Sequence, residues 1–177
     1  MKKGIIPEII NNFNLYKGVD NGGEKFLGVT GEITMPDLEG MTETITGSGI
    51  LGEVEVTNPG HYSAINMEIP FVALCDDMLQ LHPSKMNMLT MRMSEQSTIK
   101  GSGEKCYTGL KVVVGGTVKA YKLGTVKIGG QMGSSVTLSV NYIKISVDND
   151  VLLELDKING RFVLDNEDIT AEINKLC

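Results

Sequence analysis

The sequence predicts a mainly β protein, a β-barrel or sandwich with one flanking α-helix and a short C-terminal helix. Three observations predict it. About eight stretches alternate apolar and polar residues with the period of two that strands impose, against one stretch with a clear helical period. Glycines fall within or beside those stretches (Gly28, Gly31, Gly52, Gly115, Gly116, Gly124, Gly129, Gly130), where they mark bulges, bends and close backbone approach in a curved sheet. Residues 134–158 read as two long strands folded about Asp148-Asn149-Asp150.

Taken in order, residues 5–16 open the chain as an extended segment carrying Ile9, Ile10, Phe13 and Leu15, and VDNGGEK at 19–25 is a turn. Residues 26–34 alternate as a strand that ends at Pro36, which has no N–H for a ladder. Residues 37–49 are polar and threonine-rich, and predict a long loop or flap of the kind that serves function or meets a partner. Residues 50–57 and 61–69 alternate about Asn58-Pro59-Gly60 and predict a hairpin. In 71–81, Phe71, Leu74, Cys75, Met78 and Leu79 form one helical stripe between Pro70 and Pro83.

The methionine-dense stretch 85–94 is a strand whose apolar phase switches from Met86 and Met88 to Leu89, Met91 and Met93. Gly101-Ser102-Gly103 turns the chain, and 110–128 holds two or three short strands. In 134–147 the phase flips from Val136, Leu138, Val140 and Tyr142 to Ile143, Ile145 and Val147. Such a flip is a bulge, or a strand that buries first one face and then the other. The second reading suits a subunit that hands one face to a neighbour. After Asn159-Gly160, residues 165–168 cap a short helix striped by Ile169, Ile173 and Leu176.

With 177 residues the chain is long enough for one domain that buries roughly 70% of its unfolded surface. No run of about 18 apolar residues predicts a membrane-spanning helix, and Pro7, Glu8, Asn11 and Asn12 break the N-terminal apolar stretch that a secretory signal needs. A formal net charge of −6 argues against a binder that works by neutralising phosphates. Cys75, Cys106 and Cys177 have neither metal spacing nor an even count, which predicts reduced thiols.

No catalytic constellation emerges. Gly47-Ser48-Gly49-Ile50-Leu51-Gly52 has the dinucleotide glycine spacing, but an acidic strand follows where a helix N-terminus would be needed. His61 and His82 lack ligand-spaced partners. Asp76 and Asp77 diverge by about 100° on a helix, so they do not face one substrate. The methionine cluster suits adaptable packing better than a soft-metal site. The expectation is no enzyme, no cofactor and no metal.

Three stretches carry a resemblance that spans nearly the whole chain: NNFNLYKGVDNGGEKFLGVTGEITMPDLE, then GSGILGEVEV with its hairpin and amphipathic segment, then YIKISVDNDVLLELDKING. Together they resemble the major tail tube protein of contractile-tailed phages and phage-tail-like bacteriocins. The resemblance implies a single tail-tube domain over 1–177, with the 37–49 flap lying against an adjoining ring. It implies hexameric rings stacked into a hollow tube inside a sheath, with sheath, baseplate and tail-terminator proteins as partners. DNA would pass through an acidic lumen without specific binding, and the chain would not insert stably into membranes. Assembly would take place in the bacterial cytoplasm, and the product would sit in a virion tail or a released particle.

The expected subunit interface comprises Leu38, Met41, Thr44, Ile45, Ile50 and Val54 from the flap and its following strand, and Ile143, Ile145 and Val147 from the flipped strand. The alternative is a monomeric β-barrel that binds a small ligand, which requires an apolar cavity.

Overall fold

The computed structural model describes residues 4–19 and 23–176. The centre of the expected turn at 19–25, the N-terminal lysine pair and Cys177 lie outside them. The described residues form β1 (Ile5–Lys17), β2 (Gly40–Ile45), β3 (Val54–Tyr62), β4 (Ile65–Phe71), α1 (Asp76–Leu79), β5 (Asn87–Ile99), β6 (Lys105–Lys122), β7 (Ser134–Val147), β8 (Asp150–Asp156), β9 (Arg161–Leu164), β10 (Glu167–Asp168) and α2 (Ala171–Leu176). The fold is mainly β with two short helices, as the alternation predicts.

One antiparallel sheet runs β1-β5-β6-β7-β8-β9-β10, and β4 joins β7; β2 and β3 pair apart as a two-stranded sheet. Apolar rows cross the strands in register. Leu89, Val114, Ile143, Leu155 and Phe162 stand side by side, as do Leu15, Met91, Val112, Ile145 and Leu153. Both rows enter one core with Ile65, Met67 and Ile69 of β4. Each such side chain buried contributes about 1.5–3 kcal/mol of transfer free energy.

β7 is the hinge of the architecture. Gly115 pairs with Tyr142 and Gly116 with Val140, which leaves Asn141 as the extra residue of a bulge. Before it β7 pairs with β4, and after it with β8, so the sheet forks there. The Asn141 carbonyl accepts the Lys157 N–H at 2.9 Å. The bulge moves the alternation by one residue. Val136, Leu138 and Val140 before it and Ile143 after it therefore all enter the same core. The phase flip is a bulge, not an exchange of faces, and Ile143, at 2% exposure, belongs to the subunit's own interior. The methionine strand resolves similarly. Leu89, Met91 and Met93 face the core, while Met86 Cε and Met88 Sδ lie 2.6 and 2.7 Å from where a Cβ on Gly115 would sit.

The expected strand at 26–34 is instead an irregular strap. Lys17 and Phe26 N–H groups reach Glu24 and Leu15 carbonyls, and Thr30 and Val72 N–H groups reach Pro70 and Gly28 carbonyls. These four bonds tie the outer edge of β1 to that of β4 and close the circuit β1-β5-β6-β7-β4 that the ladders leave open. Phe26 and Phe71 meet inside it, ring centroids 6.4 Å apart.

Further expectations change. Residues 40–45 of the expected 37–49 loop form β2, and the stretch expected to hold two or three short strands over 110–128 is one long β6 up to Lys122. The hairpin of 50–57 with 61–69 does not form: β3 pairs with β2, and β4 crosses to β7. The helix of 71–81 shrinks to the single turn of α1, because Pro70 and Phe71 stay in β4 opposite Ser135 and Ser134. Met78 and Leu81 are buried from that stretch, whereas Leu74 and Leu79 are exposed. Residues 165–168 do not cap a helix: Asp165 and Asn166 both adopt positive φ in the turn between β9 and β10. α2 follows with no buried residue, and of the expected stripe Ile169 packs on the core while Ile173 and Leu176 are exposed.

Candidate assembly surface

The β2–β3 hairpin stands on a fixed base. Between Thr57 and Tyr62 the residues Asn58–His61 bulge opposite Met41 alone. There Gly60 has φ 80°, and a Cβ on it would sit 2.7 Å from Thr170 Cγ2 and 3.7 Å from Phe162 Cβ. Glycine is therefore what lets the base press against β9 and Thr170. The Tyr62 ring meets Phe162 edge-on at 5.4 Å, and the Ser63 N–H donates to the Glu39 carbonyl at 2.9 Å.

Above the base the hairpin has two unlike faces. Glu43 pairs with Val56 and Ile45 with Val54, so those four share one face, joined by Met41 through strand alternation. Thr42, Thr44, Glu55 and Thr57 occupy the other. Every residue of β2 is exposed, and Met41, Ile45, Val54 and Val56 are 43–52% exposed. A two-stranded sheet with an uncovered apolar face is marginal in water. The glycines of residues 47–52 turn the tip, with Gly49 and Gly52 at positive φ and Ile50 N–H donating to the Gly47 carbonyl at 3.0 Å.

Of the nine residues expected at an interface, the fold therefore gathers Met41, Ile45 and Val54 on one exposed face, with Thr44 behind them and Ile50 at the tip. Leu38 is half-buried and packs on the core below. Ile145 packs on the core too, Val147 is half-buried, and Ile143 is fully interior. Val56 and the tip residue Leu51 belong with the hairpin surface and stand outside the expected set; the alternation of 50–57 that carries Val54 carries Val56 equally.

A second exposed apolar surface is the 123–133 loop between β6 and β7. Leu123, Val126 and Ile128 protrude from it, the last two at 86% and 103% exposure. Met132 and Gly133 N–H groups anchor it to the Val72 carbonyl at 3.0 and 3.2 Å.

Several other chemistry-bearing groups make bonds within the fold. Asp77 Oδ2 accepts the Leu27 N–H at 3.1 Å, and His82 Nδ1 accepts the Ser84 N–H at 3.0 Å. On the outer face of the long sheet, Tyr142 donates to Glu154 at 2.9 Å. Burial, helped by that carboxylate, pushes the Tyr142 hydroxyl up to about 12. Glu8, at the bulge of β1, accepts from Gln96, Lys105 and Thr98, and these bonds hold its carboxyl down at about 2. The core is filled by Phe71, Ile69, Met78, Leu81 and Leu138, all below 2% exposure. Among the described residues no helix is long and apolar enough to cross a membrane.

The core is packed, and the hairpin leaves an apolar face exposed. The chain belongs to the family of phage tail tube protein FII, whose family model matches residues 7–176. Its place is accordingly in the virion tail, as a structural protein of the tube. No curated protein matches the chain.

Proposed function

We propose that this chain is the subunit of the inner tube of a contractile injection machine, acting as one tail-tube domain over 1–177. Copies form hexameric rings, and the rings stack into a hollow tube inside a sheath. The observation that carries this reading is the apolar face of the β2–β3 hairpin, left exposed in a chain of the tail tube family. Covering it with another copy removes the apolar surface from water, and a head-to-tail contact of this kind propagates along an axis.

Within a ring, β7 is flanked on both sides and cannot accept a neighbour's strand. The outer edge of β1 ahead of Leu15 pairs with no strand among the described residues and is the better joint. Sheath, baseplate and terminator proteins cap and surround the tube. DNA, where the particle carries it, slides through without specific contacts. Assembly takes place in the bacterial cytoplasm, and the product is a virion tail or a headless released particle. The rival, a ligand-binding barrel, needs a hollow interior, and this one is packed.

Electron microscopy of the purified protein tests the proposal. Sixfold rings and tubes are the expected result. Monomers or dimers alone across a wide concentration range would overturn it, and rings of another order would overturn the hexamer.

A further inference from the structure

We propose that the β2–β3 hairpin of one copy seats on the 119–132 surface of the next copy, joined by acid-to-lysine pairing around an apolar centre. The inference rests on the reading above, that the hairpin is a joint between copies, and names the surface it meets.

Placement comes first. The hairpin base adjoins the start of β4 through Tyr62 and Ser63, and the 123–133 loop hangs from Val72 just beyond its end. Seven residues of strand separate the two attachment points, roughly 20 Å at about 3.3 Å per residue. Both surfaces stay exposed in the single copy. Two complementary surfaces at opposite ends of one element, both with exposed apolar side chains among the described residues, would make a heterologous contact that repeats from copy to copy.

Charge identifies the partner. Residues 26–84 contain nine Asp and Glu and no Lys or Arg. Residues 105–147 contain six Lys and no Asp or Glu. The hairpin contributes Glu43, Glu53 and Glu55 from the first segment, and the loop with its approach contributes Lys119, Lys122 and Lys127 from the second. Lys122 is already paired with Glu68 at 2.9 Å, and Lys119 donates to Asn66 at 3.2 Å. Lys127 stands on the loop itself beside Val126 and Ile128. Met41, Ile45, Val54 and Val56 would thus meet Leu123, Val126 and Ile128, with Glu43 on that same face and Glu55 on the hairpin's back bringing carboxylates towards the ammonium groups that flank the loop. Opposite charges at a rim fix register and reject wrong pairings.

Charge reversal tests the pairing. Glu43→Lys with Glu55→Lys should lower the sedimentable tube fraction at least about tenfold, and Lys119→Glu with Lys127→Glu should do the same. All four positions are exposed, so thermal melts of the monomers should stay unchanged. Combining the four substitutions should restore tubes to within about threefold of the wild type. If each pair blocks assembly and the combination fails to rescue it, the two surfaces are joints but not for each other, and the pairing is wrong. If neither pair matters, it is wrong as well. If the wild-type protein forms no tubes, the assembly reading itself falls first.

Carbodiimide cross-linking of wild-type tubes grown from mixed light and heavy protomers needs no variant. Links from Glu43, Glu53 or Glu55 to Lys119 or Lys127 between copies support the pairing. Inter-copy links that avoid these residues overturn it.

Discussion

At the scale of the residue, Asn141 decides which side chains β7 buries. As the extra residue of the bulge it brings Ile143 into line with Val140, inside the core. Ile143 and Ile45 then make a contrast that sequence alternation alone does not reveal. A charge at Ile143 is buried without a partner, which costs about 3–5 kcal/mol. We expect Ile143→Lys to unfold the monomer, or to lower its melting temperature steeply, as circular dichroism would report. Ile45→Lys sits on an exposed face and should leave the melt within about 0.5 kcal/mol of the wild type. Equal melts for the two variants would place Ile143 outside the core.

Tyr142, on the other face, predicts an alkaline limit. Its hydroxyl titrates at about 12 in the fold against 10.0 ordinarily, so the neutral form is the one the fold favours. The stability this contributes is complete below the ordinary value and is lost as pH rises through about 12. Tyr142→Phe removes that titration. Its denaturation midpoint should fall less between pH 10 and 12 than that of the wild type; parallel curves would sink the assignment.

At the scale of the element, the proposed joint on the β2–β3 hairpin would separate folding from assembly. Among the described residues its strands pair only with each other, and its apolar face is exposed. Ile45→Thr with Val54→Thr keeps β-branched side chains suited to strands but removes the apolar match. The expected result is monomer stability within about 0.5 kcal/mol of the wild type, with tubes absent from electron micrographs. Tubes of normal length would show that this face is not a joint.

Most strands were legible because their alternation is local, and β1, β5, β7 and β8 stand close to where the pattern puts them. Their partners were not. Asn58-Pro59-Gly60 carries a turn's chemistry, yet it forms a bulge inside β3, because β4 gains more by lining Ile65, Met67 and Ile69 against Val140, Leu138 and Val136. The stripe at 71–81 has helical spacing, but Phe71 is held in β4 and only Met78 and Leu81 are needed to fill the interior. Flap residues of the assembly surface could be named from their position before a strand. The proposed partner surface at 119–132 could not, since what singles it out is the far end of β4 from which the fold hangs it.

At the scale of the whole molecule, charge works in two directions on assembly. Each copy carries a formal net charge of −6, so stacking copies accumulates repulsion. The same charge is segregated, with acids gathered in 26–84 and lysines in 105–147, so the proposed head-to-tail contact would bring opposite signs together. The two effects differ in range. Net repulsion acts over the width of a subunit, whereas rim pairs act over a few ångströms. At about 0.15 M salt the screening length is near 8 Å, which weakens the first and spares the second; at about 1 M it is near 3 Å and both are weakened. Tube yield in sodium chloride should therefore rise from about 0.01 M to about 0.15 M and fall again towards 1 M. Sedimentation of tubes across that series reads the curve directly. A steady rise to the highest salt would mean that apolar burial alone drives stacking, and the segregated charges would then have no part in holding one copy to the next.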